Sequence, residues 1–372
     1  MKFSCEKLLL LSAIMTALRA VASKSPVSLL EGLLLEALDG KVRVTGYDLK
    51  MAIVTTVPAD VESTGKVVLN ARLFGEIIRK MPGQHVSFSM DSDLSAMIVS
   101  EMSEFEILCS PASDYPELPV VQEDNSIEIS QATLKKMISQ TNFAVSDNES
   151  RPIHTGALFE TGGGELTIVA VDGYRLALRR EPMENDVGSY NFVVPGTALS
   201  EVEKIASDGD DDQVTITLAE RHIMFSFADT VLITRRLEGE FLNYKNSVPA
   251  SSTYSLRVEK SELIDSVERV SLIISDKLKS PVRCVFGDGV LKLYSMSALG
   301  KASDECAITG SGDDLEIGFN DKYFLEALKA APAHEVNINL TTGVTPCVIA
   351  PVDGGNNFLY MILPVRLKAY EN

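Results

Sequence analysis

The sequence predicts an α+β protein made of three tandem copies of one module, each with two helices packed on antiparallel sheets. Three observations carry this. Three segments open alike: Lys2-Phe3-Ser4-Cys5-Glu6-Lys7, Ser126-Ile127-Glu128-Ile129-Ser130-Gln131 and Ser255-Leu256-Arg257-Val258-Glu259-Lys260. A second echo closes a strand and opens a helix at Asn70, Pro195 and Asn320, which lie 125 residues apart both times. Recurrence at a fixed period is how tandem modules appear in a sequence. A chain of 372 residues also exceeds one typical core, so two or three domains are expected.

Each copy reads strand, helix, strands, helix, strands. The predicted helices cover residues 6–24, 71–81, 130–145, 197–206, 260–279 and 321–330, with Leu10, Leu134 and Leu263 at matching places. Alternating strands joined by turn residues fill the rest. The first copy holds Lys41 to Thr45, Ala52 to Val57, Val86 to Met90, Met97 to Ser100 and Phe105 to Cys109. The second holds Ala157 to Glu160, Leu166 to Val171, Leu176 to Arg180, Val214 to Leu218, Ile223 to Phe227 and Val231 to Arg235. The third holds Val282 to Phe286, Val290 to Tyr294, Val336 to Leu340, Cys347 to Ala350 and Phe358 to Leu363. Pro111 to Pro119 and Gly239 to Pro249 break the pattern as linkers, because proline removes a ladder donor. These breaks set domains at 1–122, 123–250 and 251–372. Tandem layers of this kind predict a curved or closed array.

Composition narrows the class. Apolar residues make up 45% of the chain, enough for sizeable cores. The longest apolar run, Leu8 to Ala22, is interrupted by Ser12, Thr16 and Arg19 and reads as an amphipathic helix, not a membrane span. No cleavage site follows Met1 and Lys2, so a cytoplasmic chain without a membrane partner is expected. Five scattered cysteines fit reduced, buried strand positions.

Net charge is −18, which taken alone argues against nucleic acid. Its distribution says otherwise. The six predicted helices hold 15 basic and 10 acidic residues, whereas the remainder holds 19 basic and 42 acidic. Basic helices in an acidic chain predict a loose, sequence-independent hold on a duplex. No base-reading motif is present.

Catalytic and cofactor motifs are missing. Gly162-Gly163-Gly164 lacks the following Lys of a phosphate loop, the four histidines lack ligand spacing, and Asp208 to Asp212 lacks the calcium-loop pattern. No metal and no cofactor are expected. Two other readings stay open on the residues alone: a hydrolase or transferase using Asp172 beside Arg175, and a structural repeat scaffold without DNA.

Taken together, the chain resembles the bacterial DNA polymerase III beta subunit, or beta sliding clamp, family. The start Met1-Lys2-Phe3-Ser4, the segment Val169 to Ala177 around Asp172-Gly173-Tyr174-Arg175, the helix start Ile317 to Asn320 with Tyr323, and the ending Tyr360 to Leu367 carry the likeness. The resemblance implies a non-catalytic processivity factor: a head-to-tail homodimeric ring whose helices line a hole around double-stranded DNA. It implies a clamp loader as a partner, and DNA polymerase III and other replication and repair proteins docking by linear peptides. It places the peptide groove on His154, Thr155, Val171, Gly173, Tyr174, Arg175, Leu176, Leu242, Asn246, Ser247, Asn320, Tyr323, Pro346, Met361, Leu363, Pro364, Val365 and Arg366. Lys24, Arg72, Arg79, Lys80, Lys135, Lys136, Lys204 and Arg269 are expected to face the hole. Ring closure is expected edge to edge between Phe105 and Ile107 and the third domain near Leu272 and Ile273.

The chain departs from the family at Pro26-Val27-Ser28-Leu29-Leu30, at Leu242, where proline is common, and at Asn246. Its last five residues, Lys368 to Asn372, are expected to fray or to fold back beside the groove.

Overall fold

The computed structural model describes residues 1–121, 125–184, 188–274 and 280–367. The end of the fifth predicted helix, at 275–279, and the terminal extension Lys368–Asn372 lie outside the described residues. The chain begins with β1 (Lys2–Glu6), α1 (Lys7–Ala17), β2 (Gly32–Leu38), β3 (Lys41–Tyr47), β4 (Met51–Pro58), β5 (Asp60–Ser63), β6 (Gly65–Asn70) and α2 (Ala71–Lys80). Next come β7 (His85–Met90), β8 (Ser95–Ser100), β9 (Ser103–Leu108) and the short β10 (Ser110–Pro111). The order then repeats with β11 (Ser126–Ser130), α3 (Gln131–Ser139), β12 (Gly156–Gly162), β13 (Glu165–Val171), β14 (Arg175–Pro182), β15 (Asn191–Pro195), α4 (Gly196–Ile205), β16 (Gln213–Leu218), β17 (His222–Ser226) and β18 (Thr230–Arg235). A third round is β19 (Tyr254–Glu259), α5 (Lys260–Ser271), β20 (Val282–Ser297), β21 (Gly300–Phe319), α6 (Asp321–Ala330), β22 (Glu335–Leu340), β23 (Cys347–Pro351) and β24 (Phe358–Ile362).

The chain forms two compact units, Met1–Leu134 with Glu201–Arg236, and Lys135–Ser200 with Leu237–Asn372. In the first, one sheet runs β5-β1-β7-β8-β9 and another runs β10-β6-β2-β3-β4-β18-β17-β16-β11. β4 and β18 join antiparallel from Met51↔Thr234 to Thr55↔Thr230. Residues of both sheets, α1 and α2 share one core, in which Phe3 stacks on Phe88 at 5.1 Å and Phe74 meets Phe88 edge-on at 6.4 Å. In the second unit a single sheet runs β15-β12-β13-β14-β24-β23-β22-β19-β21-β20. There β14 joins β24 from Arg175↔Ile362 to Arg179↔Phe358.

Capping explains the helix starts at the repeated asparagines. Asn70 Oδ1 accepts the Leu73 amide at 3.0 Å and Asn320 Oδ1 accepts the Tyr323 amide at 3.1 Å. Each satisfies an amide that the first helical turn leaves without a partner, worth about 1 kcal/mol.

Several elements differ from expectation. α1 stops at Ala17 and ends in a 3₁₀ turn, Leu18–Ala20, so Lys24 sits beyond the helix. Nor is it amphipathic: Leu8 is 65% exposed and Leu9 42%, while Leu10 and Ile14 are buried. α3 stops at Ser139, where the buried Thr141 hydroxyl donates to the Met137 carbonyl at 2.8 Å. The two strands predicted at 282–294 are one, β20, whose pairing slips on either side of Asp288. Its partner β21 was not predicted along most of its length, because Asp304, Glu305, Asp313 and Asp314 obscure its alternation. All five cysteines are free, and four are buried.

Candidate functional site

In the second unit a tight turn joins β13 to β14. Asp172 Oδ1 accepts the amides of Tyr174 and Arg175 at 2.8 and 3.0 Å, and Gly173 takes φ +92°. Glycine adopts that left-handed backbone without strain. Asp172 Oδ2 accepts from Arg175 Nε at 2.8 Å. The same guanidinium donates to the Phe143 carbonyl at 2.6 Å and to Glu326 of α6. Its carbon lies 4.4 Å from the Tyr323 ring centre, and Tyr174 stacks on Tyr323 at 6.1 Å. Arg175 therefore ties the turn to the N-terminal half of α6. Its side chain is only 9% exposed and each of its nitrogens is engaged, so it positions the turn and offers no free charge.

Beside this hub lies an apolar patch of Val171, Leu176, Val348 and Met361 with Leu158, Val169, Leu178 and Val193. The linker crosses it, packing Phe241, Tyr244 and Val248 onto the sheet. Tyr244 is held there by a hydrogen bond from its hydroxyl to Glu160. Burial, then Glu160, pushes its phenol well above the ordinary range. Leu242 points outward, 43% exposed.

The chain after β24 completes the wall. The Leu363 amide donates to the Tyr174 carbonyl and the Val365 amide to the Gly318 carbonyl, both at 2.8 Å. A side chain on Gly318 would meet the Val365 carbonyl at 2.7 Å, so only glycine admits this approach. Tyr174 and Leu363 stay exposed, at 62% and 37%. Beneath them Leu176 and Met361 are buried, at 1% and 7%.

Family models for the N-terminal, central and C-terminal domains of the DNA polymerase III beta subunit match residues 1–119, 128–243 and 245–366. The chain belongs to that family. It is 32% identical to the beta sliding clamp of Staphylococcus aureus, over 98% of this chain and 99% of that one. A putative DNA polymerase III beta subunit from Eubacterium rectale superposes with TM-score 0.94 at 33% identity, over 98% of this chain and 99% of that one. The DNA polymerase sliding clamp of Bacillus subtilis gives TM-score 0.94 at 31% identity, over 99% and 100%. The family is one of sliding clamps, not of catalysts. The enzyme reading of Asp172 falls, and both its oxygens are already spent on the turn and on Arg175.

The residues expected from family likeness divide by place. Val171, Gly173, Tyr174, Arg175, Leu176, Tyr323, Met361, Leu363 and Val365 gather in the hub, patch and wall just described. His154 and Thr155 end a 3₁₀ turn, with the His154 ring edge-on to Phe241 at 5.6 Å. Burial, then Arg151, lowers the His154 pKa below 6.5. Asn320 is spent on its cap, Pro346 precedes β23, and Asn246 and Ser247 end the linker turn. Pro364 and Arg366 flank Val365. Sequence reasoning missed Phe143, Phe241, Tyr244 and Glu326. Phe241 and Tyr244 carried a signal, being aromatic residues inside a linker.

Of the helix cations, Arg72, Lys80 and Lys136 are exposed on α2 and α3, and Lys24 is exposed after α1. Arg79 pairs with Glu76, Lys204 with Glu201 and Arg269 with Asp304, so these three bring a compensating acid. Lys135 is half-buried. At the sheet ends, β9 is an edge carrying Phe105, which is 42% exposed, and the half-buried Ile107. Leu272, 82% exposed, caps α5 and Ile273 follows it, so neither lies on a strand; the edges of the sheet in that unit are β15 and β20. Among the described residues no group of acids, histidines and cysteines could hold a metal, and no helix is long and apolar enough to cross a membrane.

Proposed function

We propose that this chain is the processivity clamp of a replicative DNA polymerase, acting as a head-to-tail homodimeric ring that slides on duplex DNA. The observation that carries this reading is the family match in three consecutive domains along nearly the whole chain. The domains fall at 1–122, 123–250 and 251–372. Six modules then close the ring, with exposed helix cations such as Arg72 and Lys80 toward phosphate and the acidic strands and loops outward. Such contacts hold the backbone without reading bases, which permits sliding. Closure pairs the β9 edge of one chain with the β20 edge of its partner, beside Leu272 and Ile273, which removes two unpaired strand edges.

The surface between Tyr174 and Leu363, over Leu176 and Met361, is the docking groove for linear peptides of polymerases and repair proteins. Its apolar floor suits leucine and phenylalanine anchors, while its open rim suits an extended chain. A cytoplasmic location and a clamp loader that opens the ring belong to the same reading. Sedimentation together with polymerase processivity on primed circular DNA tests it. A dimer that lengthens each extension run supports the reading, and a monomer without effect on run length overturns it.

A further inference from the structure

The turn that carries Tyr174 is built twice in this chain. In the first unit Asp48 Oδ1 accepts the amides of Lys50 and Met51 at 2.8 and 2.7 Å, as Asp172 does for Tyr174 and Arg175. Leu49 holds φ +74° where the other turn has Gly173. The ladder beside it repeats as well. Ala52 faces Ile233 as Leu176 faces Met361, and the Arg235 amide donates to the Lys50 carbonyl as the Leu363 amide donates to that of Tyr174. Register therefore equates Lys50 with Tyr174, Arg235 with Leu363 and Arg236 with Pro364.

The chemistry at these positions is inverted. An aromatic, a leucine and a proline in the second unit become three cations in the first. Arg221 adds a fourth, since its carbonyl accepts the Arg236 amide at 3.0 Å. Lys50, Arg221 and Arg235 are exposed, and Arg236 Nε is buried with no hydrogen-bond partner. Among the described residues no carboxylate pairs with any of the four, although the chain carries a net charge of −18. Asp48, the acid nearest in sequence to Lys50, has Oδ1 committed to the turn. Leu49 is 54% exposed in a backbone conformation that costs a branched side chain strain. An exposed, strained leucine beside uncompensated cations marks a surface prepared for a ligand.

We infer that the first unit carries a second docking site, which takes an acidic peptide segment. Carboxylates of the peptide meet Lys50, Arg221, Arg235 and Arg236, and one of its apolar side chains rests on Leu49. Planar guanidinium groups match carboxylates in two-pronged hydrogen bonds. The exposed leucine favours a peptide over a bare nucleic-acid backbone. The peptide class is borrowed from the groove reading above, while the charge inversion stands on the first unit alone.

Fluorescence anisotropy of the full-length protein tests this with three probes: a peptide of Asp, Glu and Leu, a neutral Leu- and Phe-bearing peptide, and a short single-stranded oligonucleotide. The acidic peptide is expected to bind wild type, to weaken with added salt, and to lose about tenfold or more affinity in Arg221→Glu/Arg235→Glu. Arg221→Lys/Arg235→Lys keeps most of that affinity, and Leu363→Ala changes only the neutral peptide. If the charge-reversed protein melts early, Arg221→Gln/Arg235→Gln replaces it. The inference is overturned if wild type does not bind the acidic peptide, if the reversed protein binds it equally, or if only the oligonucleotide depends on these arginines. Loss of neutral-peptide binding everywhere would remove the groove reading and leave this one standing.

Discussion

Tyr174 lies on Tyr323 with ring centres 6.1 Å apart and planes 24° from parallel. One ring belongs to a hairpin turn and the other to the first turn of α6, so the stack records how Arg175 holds those elements together. Arg175→Met removes its bonds to Asp172, Glu326 and the Phe143 carbonyl. Asp172 keeps its turn amides and Glu326 is half exposed, so the loss is expected near the lower end for a broken buried pair, about 3 kcal/mol. Urea unfolding followed by tyrosine fluorescence reads it. A change below about 0.5 kcal/mol, the range of ordinary surface substitutions, would show that the hub is not structural.

Met361 is 7% exposed on the floor of the proposed groove. Burying one leucine or phenylalanine anchor contributes roughly 1.5–3 kcal/mol, so Met361→Ala should weaken a Leu- and Phe-bearing polymerase peptide about tenfold. Calorimetric titration with a thermal melt as control measures this. Unchanged affinity in a folded variant would sink the groove assignment.

Neutralising Arg72, Arg79 and Lys80 together should weaken retention on circular DNA equally for every sequence. Each lost phosphate contact lowers the salt slope by about 0.9. Arg79 should give the smallest share, because Glu76 already pairs with it. A loss confined to some sequences would contradict sliding.

Leu272→Ala with Ile273→Ala should release monomers in sedimentation at low concentration. Leu272 is 82% exposed at the end of α5, a large apolar side chain without cover in the single chain. A dimer that persists at low concentration would show this interface assignment to be wrong.

His154 is kept neutral by burial, and by Arg151, with its pKa below the ordinary 6.5. Folding therefore disfavours its proton, and its contribution to stability is full above pH 6.5. That contribution is lost as pH falls from there through the folded pKa. His154→Gln should flatten the acid side of the stability profile of the second unit. An identical pH profile in the variant would remove His154 as its cause.

The repeat was legible because its markers are local. Asn70 and Asn320 cap helices wherever they stand, and the Asp172-Gly173 turn closes on its own amides. The site was only half legible. Family likeness places Arg175 in the groove, yet its partners Glu326 and the Phe143 carbonyl lie 151 and 32 residues away. Such pairings exist only after the sheet forms. β21 escaped for another reason: its exposure alternates from Lys301 to Thr309, but the less exposed positions include Ala302 and Asp304, so no apolar alternation shows in the sequence. Helix length failed at Ala17 and Ser139, where the sequence stays apolar or helix-compatible but backbone partners end.

The β4–β18 ladder has a consequence for the newborn chain. β4 is complete at Pro58, but the strand that covers its edge is not synthesised until Arg235. At about 5–20 residues per second, this leaves a bare row of donors and acceptors for roughly 9–35 s on the ribosome. β4 is a β-rich run, Met-Ala-Ile-Val-Thr-Thr-Val-Pro, without a charge. Nascent chains on neighbouring ribosomes of one message are staggered in length, but within this window they present the same edge side by side. Ribosome spacing along the message, and chaperone capture before residue 235 emerges, thus bear on the yield of folded protein.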